Sequence, residues 1–161
     1  MRVIIINGPM GVGKTTIGTY IADHVPGTAL IDGDWCMDIH PFVGNSDTKA
    51  LAVDNILHLV GNYQKCTYCS MVVMVWLMDD PWVIKAIMDG LSALRAQVKI
   101  VTLVCDRDVL TRRWNNDQTC KWRTDTWLSI SLKSLPTFTA MKNVIDTSHL
   151  SVEQVAELIM E

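Results

Sequence analysis

At 161 residues, with 49% hydrophobic and 19% charged residues, the sequence is typical of one globular domain spanning 1–161. The net charge of −3 disfavours binding to nucleic acid or to an anionic membrane surface, because both need a basic face. The longest strongly apolar run, residues 71–78, is too short for a membrane span, which needs about 20 residues. The five cysteines form no disulfide framework, so a reducing, cytoplasmic compartment is expected. The oligomeric state stays open.

Apolar runs and amphipathic segments alternate along the chain. The apolar runs predict five strands, at 3–6, 29–31, 71–77, 98–105 and 144–145. The segments between them predict helices at 14–24, 46–62, 81–96 and 107–114, one after residue 126, and a last one from 151. Because the strands lack polar alternation, each is expected to be buried on both faces, which indicates a parallel α/β sheet covered by helices.

Three helix details can be predicted from individual residues. Ser46 is the expected N-cap of the second helix, which carries Leu51, Ile56 and Leu59 along one face. Pro136 is expected to bend or end its helix, because proline cannot donate the backbone hydrogen bond there. Ser151 with Gln154 forms a capping box for the last helix.

The segment after the first strand matches the phosphate-binding pattern G-x-x-x-x-G-K-[ST] in full. Its glycines let backbone N–H groups point at phosphate oxygens, Lys14 adds a positive charge, and Thr15 offers a hydroxyl to Mg²⁺. A buried strand before it and a helix after it supply the structural context of a P-loop. The predicted nucleotide-binding residues here are Gly8, Pro9, Met10, Gly11, Val12, Gly13, Lys14, Thr15 and Thr16.

Two carboxylates, Asp32 and Asp34, follow the second strand at the sheet edge where ligands of α/β proteins bind. One carboxylate is expected to hold Mg²⁺ and the other to position or deprotonate an acceptor hydroxyl. Thr15 and Asp32 are the predicted metal ligands, although the pattern leaves open which aspartate has which role. Asp79 or Asp80, after the third strand, is an alternative metal carboxylate or a helix cap.

With this P-loop, this Asp-Gly-Asp turn and this length, the chain resembles the shikimate, gluconate and adenylylsulfate kinase group, with nucleotide kinases as wider relatives. The resemblance implies a sheet of order 2-3-1-4-5, ATP and Mg²⁺ as cofactors, and a mobile lid at about 115–126. It also implies lid-side arginines, matched by Arg112 or Arg113 and by Arg123, and an adenine-edge loop at Asp146 and Thr147. Asp117 stands where relatives often repeat an arginine.

The acceptor side is acidic and aromatic. No arginine occurs between Arg2 and Arg95, whereas Asp79, Asp80 and Trp82 follow the third strand. A phosphate or carboxylate acceptor needs forked cationic donors, so an uncharged or cationic small molecule is expected. Trp35 and Trp76 are further candidates for lining the acceptor pocket, although core packing is the stronger expectation for Trp76.

The sequence therefore predicts an ATP-dependent kinase in which Lys14, Asp32, Asp34 and Arg123 are catalytic. Its partner is a small-molecule acceptor. A nucleoside monophosphate kinase is one alternative, and a nucleotide-dependent switch or regulatory protein without an acceptor is another, because a P-loop alone does not separate them.

Overall fold

The computed structural model describes residues 1–117, 120 and 123–161. Its parallel sheet has five strands in the order β2-β3-β1-β4-β5, which confirms the predicted order 2-3-1-4-5. The strands are β1 (Arg2–Asn7), β2 (Thr28–Asp32), β3 (Met71–Val75), β4 (Gln97–Val104) and β5 (Val144–Asp146). All the pairings are parallel, so the carboxyl ends of the strands lie at one edge of the sheet.

Helices connect successive strands, and one more helix follows the last strand. They are α1 (Lys14–His24), α2 (Ser46–Tyr63), α3 (Pro81–Ala93), α4 (Arg107–Asn116), α5 (Asp125–Thr139) and α6 (Val152–Met160), with a short 3₁₀ helix at Trp35–Met37. Within the described part of the chain, no helix combines the length and the apolar character needed to cross a membrane.

The two faces of the sheet form two separate cores. Along β1, Ile4 and Ile6 face one core, together with apolar residues of α1, α4, α5 and α6. Val3 and Ile5 face the other, where α2 and α3 pack. Because successive side chains of a strand point to opposite faces, an uninterrupted apolar strand requires a helical layer on both sides. This arrangement confirms the predicted α/β architecture.

The start and the buried face of α2 differ from the sequence prediction. Asn45, and not Ser46, is the N-cap, because its side chain accepts from the backbone N–H of Thr48 while the Thr48 hydroxyl accepts from the Asn45 N–H. The buried stripe follows the four-residue spacing of Ala52, Ile56 and Val60, whereas Leu51 and Leu59 are 42% and 37% exposed. Ile56 is therefore buried as predicted, and the prediction is wrong for Leu51 and Leu59.

The prediction that Pro136 bends or ends its helix is wrong in one respect, since α5 continues through it to Thr139. A proline leaves the carbonyl four residues earlier without its helical donor. Here that carbonyl, on Leu132, accepts a hydrogen bond from Arg107 Nη1 at 3.2 Å. A side chain from α4 thus supplies a partner for the exposed carbonyl.

The connection between α4 and α5 is shorter than the predicted loop at 115–126. Helix α4 extends to Asn116 and α5 begins at Asp125, which leaves 117–124 between them. Residues 118, 119, 121 and 122 of the predicted lid lie outside the described residues.

Asn7, the last residue of β1, is fully buried and connects two strand ends. Its side chain donates to the carbonyl of Met78 at 3.0 Å and accepts from the backbone N–H of Met78 at 2.8 Å. The backbone N–H and carbonyl of Met78, which lies beyond the end of β3, are therefore both satisfied by the carboxamide of Asn7. This pair of bonds fixes the end of β3 relative to the start of the P-loop.

Asn7→Ala should lower the free energy of unfolding by about 2–4 kcal/mol, because it orphans two buried backbone groups at once. Urea denaturation followed by circular dichroism measures this loss. Asn115→Ala, at an exposed position of α4, is the matched control and should stay within about 0.5 kcal/mol of the wild type. Equal stability of the two variants would contradict the bridging role of Asn7.

Candidate functional site

The turn between β1 and α1 has a backbone that only glycine adopts easily. Gly8 and Gly13 have φ angles of 145° and 111°. A side chain on Gly8 would lie 2.5 Å from the carbonyl oxygen of Leu103, so the loop can approach β4 only without one. Gly13 is the N-cap of α1, and the space where its Cβ would stand is open. The N-terminus of α1 is thus accessible to an anion.

Lys14 lies at the centre of this turn. Its ammonium group donates to the carbonyls of Gly8 and Pro9 at 2.8 and 2.9 Å. Burial lowers the pKa of Lys14 to about 8, against the opposing effect of the Asp34 and Asp32 carboxylates and together with the repulsion of Arg123. These four charged side chains therefore share one electrostatic environment at the P-loop.

Asp32 ends β2 beside the first turn of α1. One of its oxygens accepts from the Thr15 hydroxyl at 3.3 Å, and the other accepts from the backbone N–H of Asp34 at 3.0 Å. Burial raises the pKa of Asp32, which the two hydrogen bonds partly counter. The structure brings together the two residues that the sequence predicts as metal ligands.

Asp34 has a different partner. The indole N–H of Trp76 donates to Asp34 Oδ1 at 3.1 Å, and the Trp76 ring is buried against Gly33, where a Cβ would stand 2.2 Å from the ring. Trp76 packs in the core, as expected, and also orients this exposed carboxylate. The sequence reading did not anticipate the contact, because it joins residues 42 positions apart.

Of the two candidate arginines on α4, Arg113 faces the P-loop and Arg112 is exposed. Arg113 Nη1 donates to the carbonyl of Val12 and to the Thr147 hydroxyl, each at 2.9 Å, and its Nη2 donates to the carbonyl of Thr147 at 2.8 Å. One guanidinium thus joins the P-loop to the segment after β5.

Arg123 lies over the P-loop from the α4–α5 connection. It forms an ion pair with Asp117 at 2.5 Å, and its guanidinium carbon is 5.0 Å from the centre of the Trp114 ring. Its Nη1 is buried, has no hydrogen-bond partner among the described residues, and is 3.3 Å from where a Cβ of Gly11 would stand. Asp117 therefore holds Arg123.

A cavity of about 230 Å³ adjoins this cluster. Thr16, Arg113 and Thr147 line it, whereas Asp146 does not. The Asp146 carboxylate instead accepts from the hydroxyl and backbone N–H of Ser148, which lowers its pKa. The opposite wall comes from the start of α6, through Leu150, Ser151, Val152 and Val155. The only signal of this wall in the sequence is the pattern of an amphipathic helix, which does not indicate a binding role.

Two further residues missed from the sequence stabilise the site. Ser131 is fully buried on α5, and its hydroxyl donates to the P-loop carbonyl of Met10 at 2.7 Å. Lys49, on α2, forms an ion pair with Asp80 and lies 4.0 Å from Asp79. Asp80 occupies the N-cap position of α3 without a capping hydrogen bond from its side chain. Lys49 therefore offsets the negative charge of the two aspartates that follow β3.

Similarity to known proteins supports a nucleotide-binding fold. A curated protein of Actinobacillus pleuropneumoniae serotype 5b (strain L20), named "Nucleotide-binding protein", is 27% identical over 98% of this chain and 51% of its own length. The chain thus spans about half the length of the curated relatives it matches.

Two solved structures share the fold. The Deinococcus radiodurans tunicamycin resistance protein superposes with a TM-score of 0.69 at 22% identity, covering 98% of this chain and 92% of that one. A gluconokinase from Sinorhizobium meliloti 1021 gives 0.68 at 15% identity, covering 98% and 89%. At such identities the likeness concerns the fold alone, and at that level the predicted resemblance to small-molecule kinases is confirmed. Because a family model described as "AAA domain" matches residues 4–126, well over half of its length, the chain belongs to the AAA domain family.

Proposed function

We propose that the chain is an ATP-dependent kinase that transfers the γ-phosphoryl group to a hydroxyl of a small, uncharged or cationic molecule. The observation that carries this proposal is the contact between the Thr15 hydroxyl and the Asp32 carboxylate at 3.3 Å. It brings a carboxylate of the Asp-Gly-Asp turn to the P-loop, and the second carboxylate, Asp34, follows two residues later. A simple nucleotide-binding turn has no need of such a pair.

In this proposal Asp32 and Thr15 hold Mg²⁺, since Mg²⁺ prefers hard oxygen ligands and usually keeps several of its waters. The ion supplies positive charge that offsets the charge of the transferred phosphoryl group. Burial raises the pKa of Asp32, so the site disfavours its charged form, and a bound cation would favour that form.

Asp34 then acts on the acceptor. The Trp76 indole holds one of its oxygens at 3.1 Å, and the carboxylate is exposed, so the second oxygen is accessible to a substrate hydroxyl. Asp34 would accept the hydroxyl proton as the oxygen attacks the γ-phosphorus of ATP, while the bond from that phosphorus to the bridging oxygen breaks and ADP leaves. The proposal thus assigns the metal to Asp32 and the acceptor hydroxyl to Asp34, a choice that the sequence left open.

Lys14 and Arg123 stabilise the charge on the phosphoryl group. Arg123 is already oriented by Asp117 and Trp114, and its Nη1, which has no hydrogen-bond partner in the described part of the chain, lies beside Gly11. A phosphate oxygen would satisfy that donor with a charge-assisted hydrogen bond. Lys14 would exchange its two loop carbonyls for phosphate oxygens.

The base of the nucleotide is assigned to the cavity of about 230 Å³ lined by Thr147 and the start of α6. Arg113 positions this wall relative to the P-loop through its bonds to Val12 and Thr147. The segment 115–126 acts as the lid that carries Arg123 and excludes water during transfer.

One alternative has an observation in its favour. The curated relatives are named only as nucleotide-binding proteins and are about twice as long, which suits a regulatory nucleotide-binding module. A monophosphate acceptor has less support, because Lys49, which lies beside the acidic segment after β3, is paired with Asp80. Turnover measurements separate these functions.

Lys14→Ala should lower phosphoryl transfer by about 10²-fold or more while the protein stays folded, because a positioned cation is lost. The assay is ATP consumption with a panel of nucleosides, sugars, sugar acids, antibiotics and nucleoside monophosphates, with circular dichroism as the folding control. Undiminished turnover in the folded variant would refute the P-loop assignment. ATP binding by the wild type without turnover of any acceptor would favour the regulatory module.

Asp32→Asn and Asp34→Asn should differ in kind. Asp32→Asn should raise the Mg²⁺ concentration needed for half-maximal activity, whereas Asp34→Asn should lower kcat by about 10²- to 10⁴-fold at unchanged Mg²⁺ dependence. Steady-state kinetics at varied Mg²⁺ and saturating ATP measure both. Wild-type kinetics in both variants would reduce the Asp-Gly-Asp segment to a structural turn.

Nucleotide affinity should fall above pH 8. Phosphate oxygens favour the charged form of Lys14, whose pKa is about 8 in this structure, so the bound state has the higher pKa. Binding therefore takes up a proton above pH 8, and the dissociation constant of ADP should rise by up to about tenfold per pH unit. Calorimetry between pH 7 and 9.5 measures this slope. Lys14→Arg, charged throughout, should show a flat profile, and a flat wild-type profile would contradict the role of Lys14.

A further inference from the structure

A second cavity, of about 520 Å³, lies along the outer edge of β2, which is the first strand in the sheet order. Its walls come from β2, from the 3₁₀ helix and from one side of α2. We call it the β2 groove, and its functional lining is Asp32, Trp35, Asp54, Asn55, His58 and Leu59. Its volume is within the range of pockets that hold small molecules, about 300–1,000 Å³.

The groove adjoins the proposed catalytic site through one residue. Asp32 lines the groove, while its Oδ2 accepts from the Thr15 hydroxyl of the P-loop. Its Oδ1 accepts from the backbone N–H of Asp34, the next carboxylate along the turn. A molecule lying in the groove therefore ends beside both carboxylates, at the carboxyl edge of the sheet.

The charge of the groove is negative. Asp32 and the exposed Asp54 both line it, and none of its lining residues in the described part of the chain is lysine or arginine. Lys14 is the cation that acts on Asp32, and it lies on the P-loop side. Two carboxylates in one cleft attract a cation and repel an anion. His58, also exposed, supplies ring nitrogens that can bond a hydroxyl.

The groove also has a flat apolar wall. Trp35 is 80% exposed, which is unusual for so large a ring, and Leu59 is 37% exposed. The wall is held in place because Asn55 Nδ2 donates to the carbonyl of Cys36, beside Trp35, at 2.8 Å. An exposed indole next to carboxylates suits a cation or a ring that stacks on it.

We propose that the β2 groove binds the phosphoryl acceptor, and that this acceptor is a hydroxyl-bearing amine with a flat ring. The ammonium group lies near Asp54, the ring lies on Trp35, and the reacting hydroxyl reaches Asp34 past Asp32. The identification of this ligand as the acceptor rests on the proposed kinase function, whereas the charge and shape preference of the groove does not.

The test uses three probes, the phenyl β-glycosides of glucosamine, glucose and glucuronic acid. The first is cationic, the second is neutral and the third is anionic. Binding is measured by calorimetry with ADP and Mg²⁺ present, and turnover with ATP and Mg²⁺. The glucosaminide should bind most tightly and the glucuronide most weakly. Asp54→Asn should weaken glucosaminide binding by about fivefold and leave glucoside binding unchanged. Trp35→Ala should weaken both by about threefold or more.

Two control variants remove a carboxylate and an aromatic ring from positions outside the groove. Asp47→Asn deletes an exposed carboxylate of α2 that does not line the groove, and Tyr68→Ala deletes an aromatic ring that is 90% exposed. Both should bind the three probes and ATP as the wild type does. Any of three results would overturn the groove assignment. They are equal effects of Asp54→Asn and Asp47→Asn, tighter binding of the glucuronide than of the glucosaminide, and no saturable binding of the glucosaminide.

Lys14→Ala separates the two proposals, because it removes transfer and leaves every side chain that lines the groove in place. Glucosaminide binding that survives in this variant supports the groove. Wild-type binding of the glucosaminide without its phosphorylation leaves the groove as a binding site and refutes its assignment to an acceptor, whereas the kinase proposal fails only if no member of the acceptor panel is phosphorylated. Transfer that is insensitive to Asp54→Asn and Trp35→Ala retains the kinase and overturns the groove.

Discussion

The turn between β1 and α1 is fixed by hydrogen bonds from distant parts of the chain, and the rest of the site is arranged around it. Ser131 on α5 holds the carbonyl of Met10, and Arg113 on α4 holds that of Val12. The backbone of Gly8 lies against Leu103 of β4. Because the carbonyls of Met10 and Val12 have these partners, the loop is held in place at the N-terminal end of α1, which suits an anion. The sheet thus supplies the shape and the neighbouring helices supply the rigidity.

Charge is divided across this loop. Arg113 and Arg123 lie on the side of the smaller cavity, and Asp32 and Asp54 line the β2 groove on the other. Lys14 lies between them and interacts electrostatically with both signs. This separation suits an anionic nucleotide on one side and an uncharged or cationic molecule on the other, since each ligand meets the opposite charge. Lys49 is paired with Asp80 after β3, so it does not add an unpaired positive charge to the acceptor side.

Several elements follow from local sequence alone, as the bounds of α1 and the capping box of α6 illustrate. Both depend on interactions within a few residues: apolar spacing along a helix, and a serine with a glutamine three positions later. The errors occur where a distant side chain changes the local balance. Arg107 supplies the partner that lets α5 continue through Pro136, and packing against the sheet selects Ala52 and Val60, with the predicted Ile56, over Leu51 and Leu59 of α2.

The sequence by itself determined the P-loop, the order of strands and helices, and the position of the Asp-Gly-Asp turn after a buried strand. Those features depend on the positions of glycines and on the spacing of apolar residues, both of which act over short stretches of chain. Only the tertiary structure decided that Asp32 meets Thr15, that Trp76 orients Asp34, and that Asp117 holds Arg123. The physical reason is that a side chain's hydrogen-bond partner and burial depend on which residues the parallel sheet brings to its carboxyl edge, and sequence spacing does not specify them.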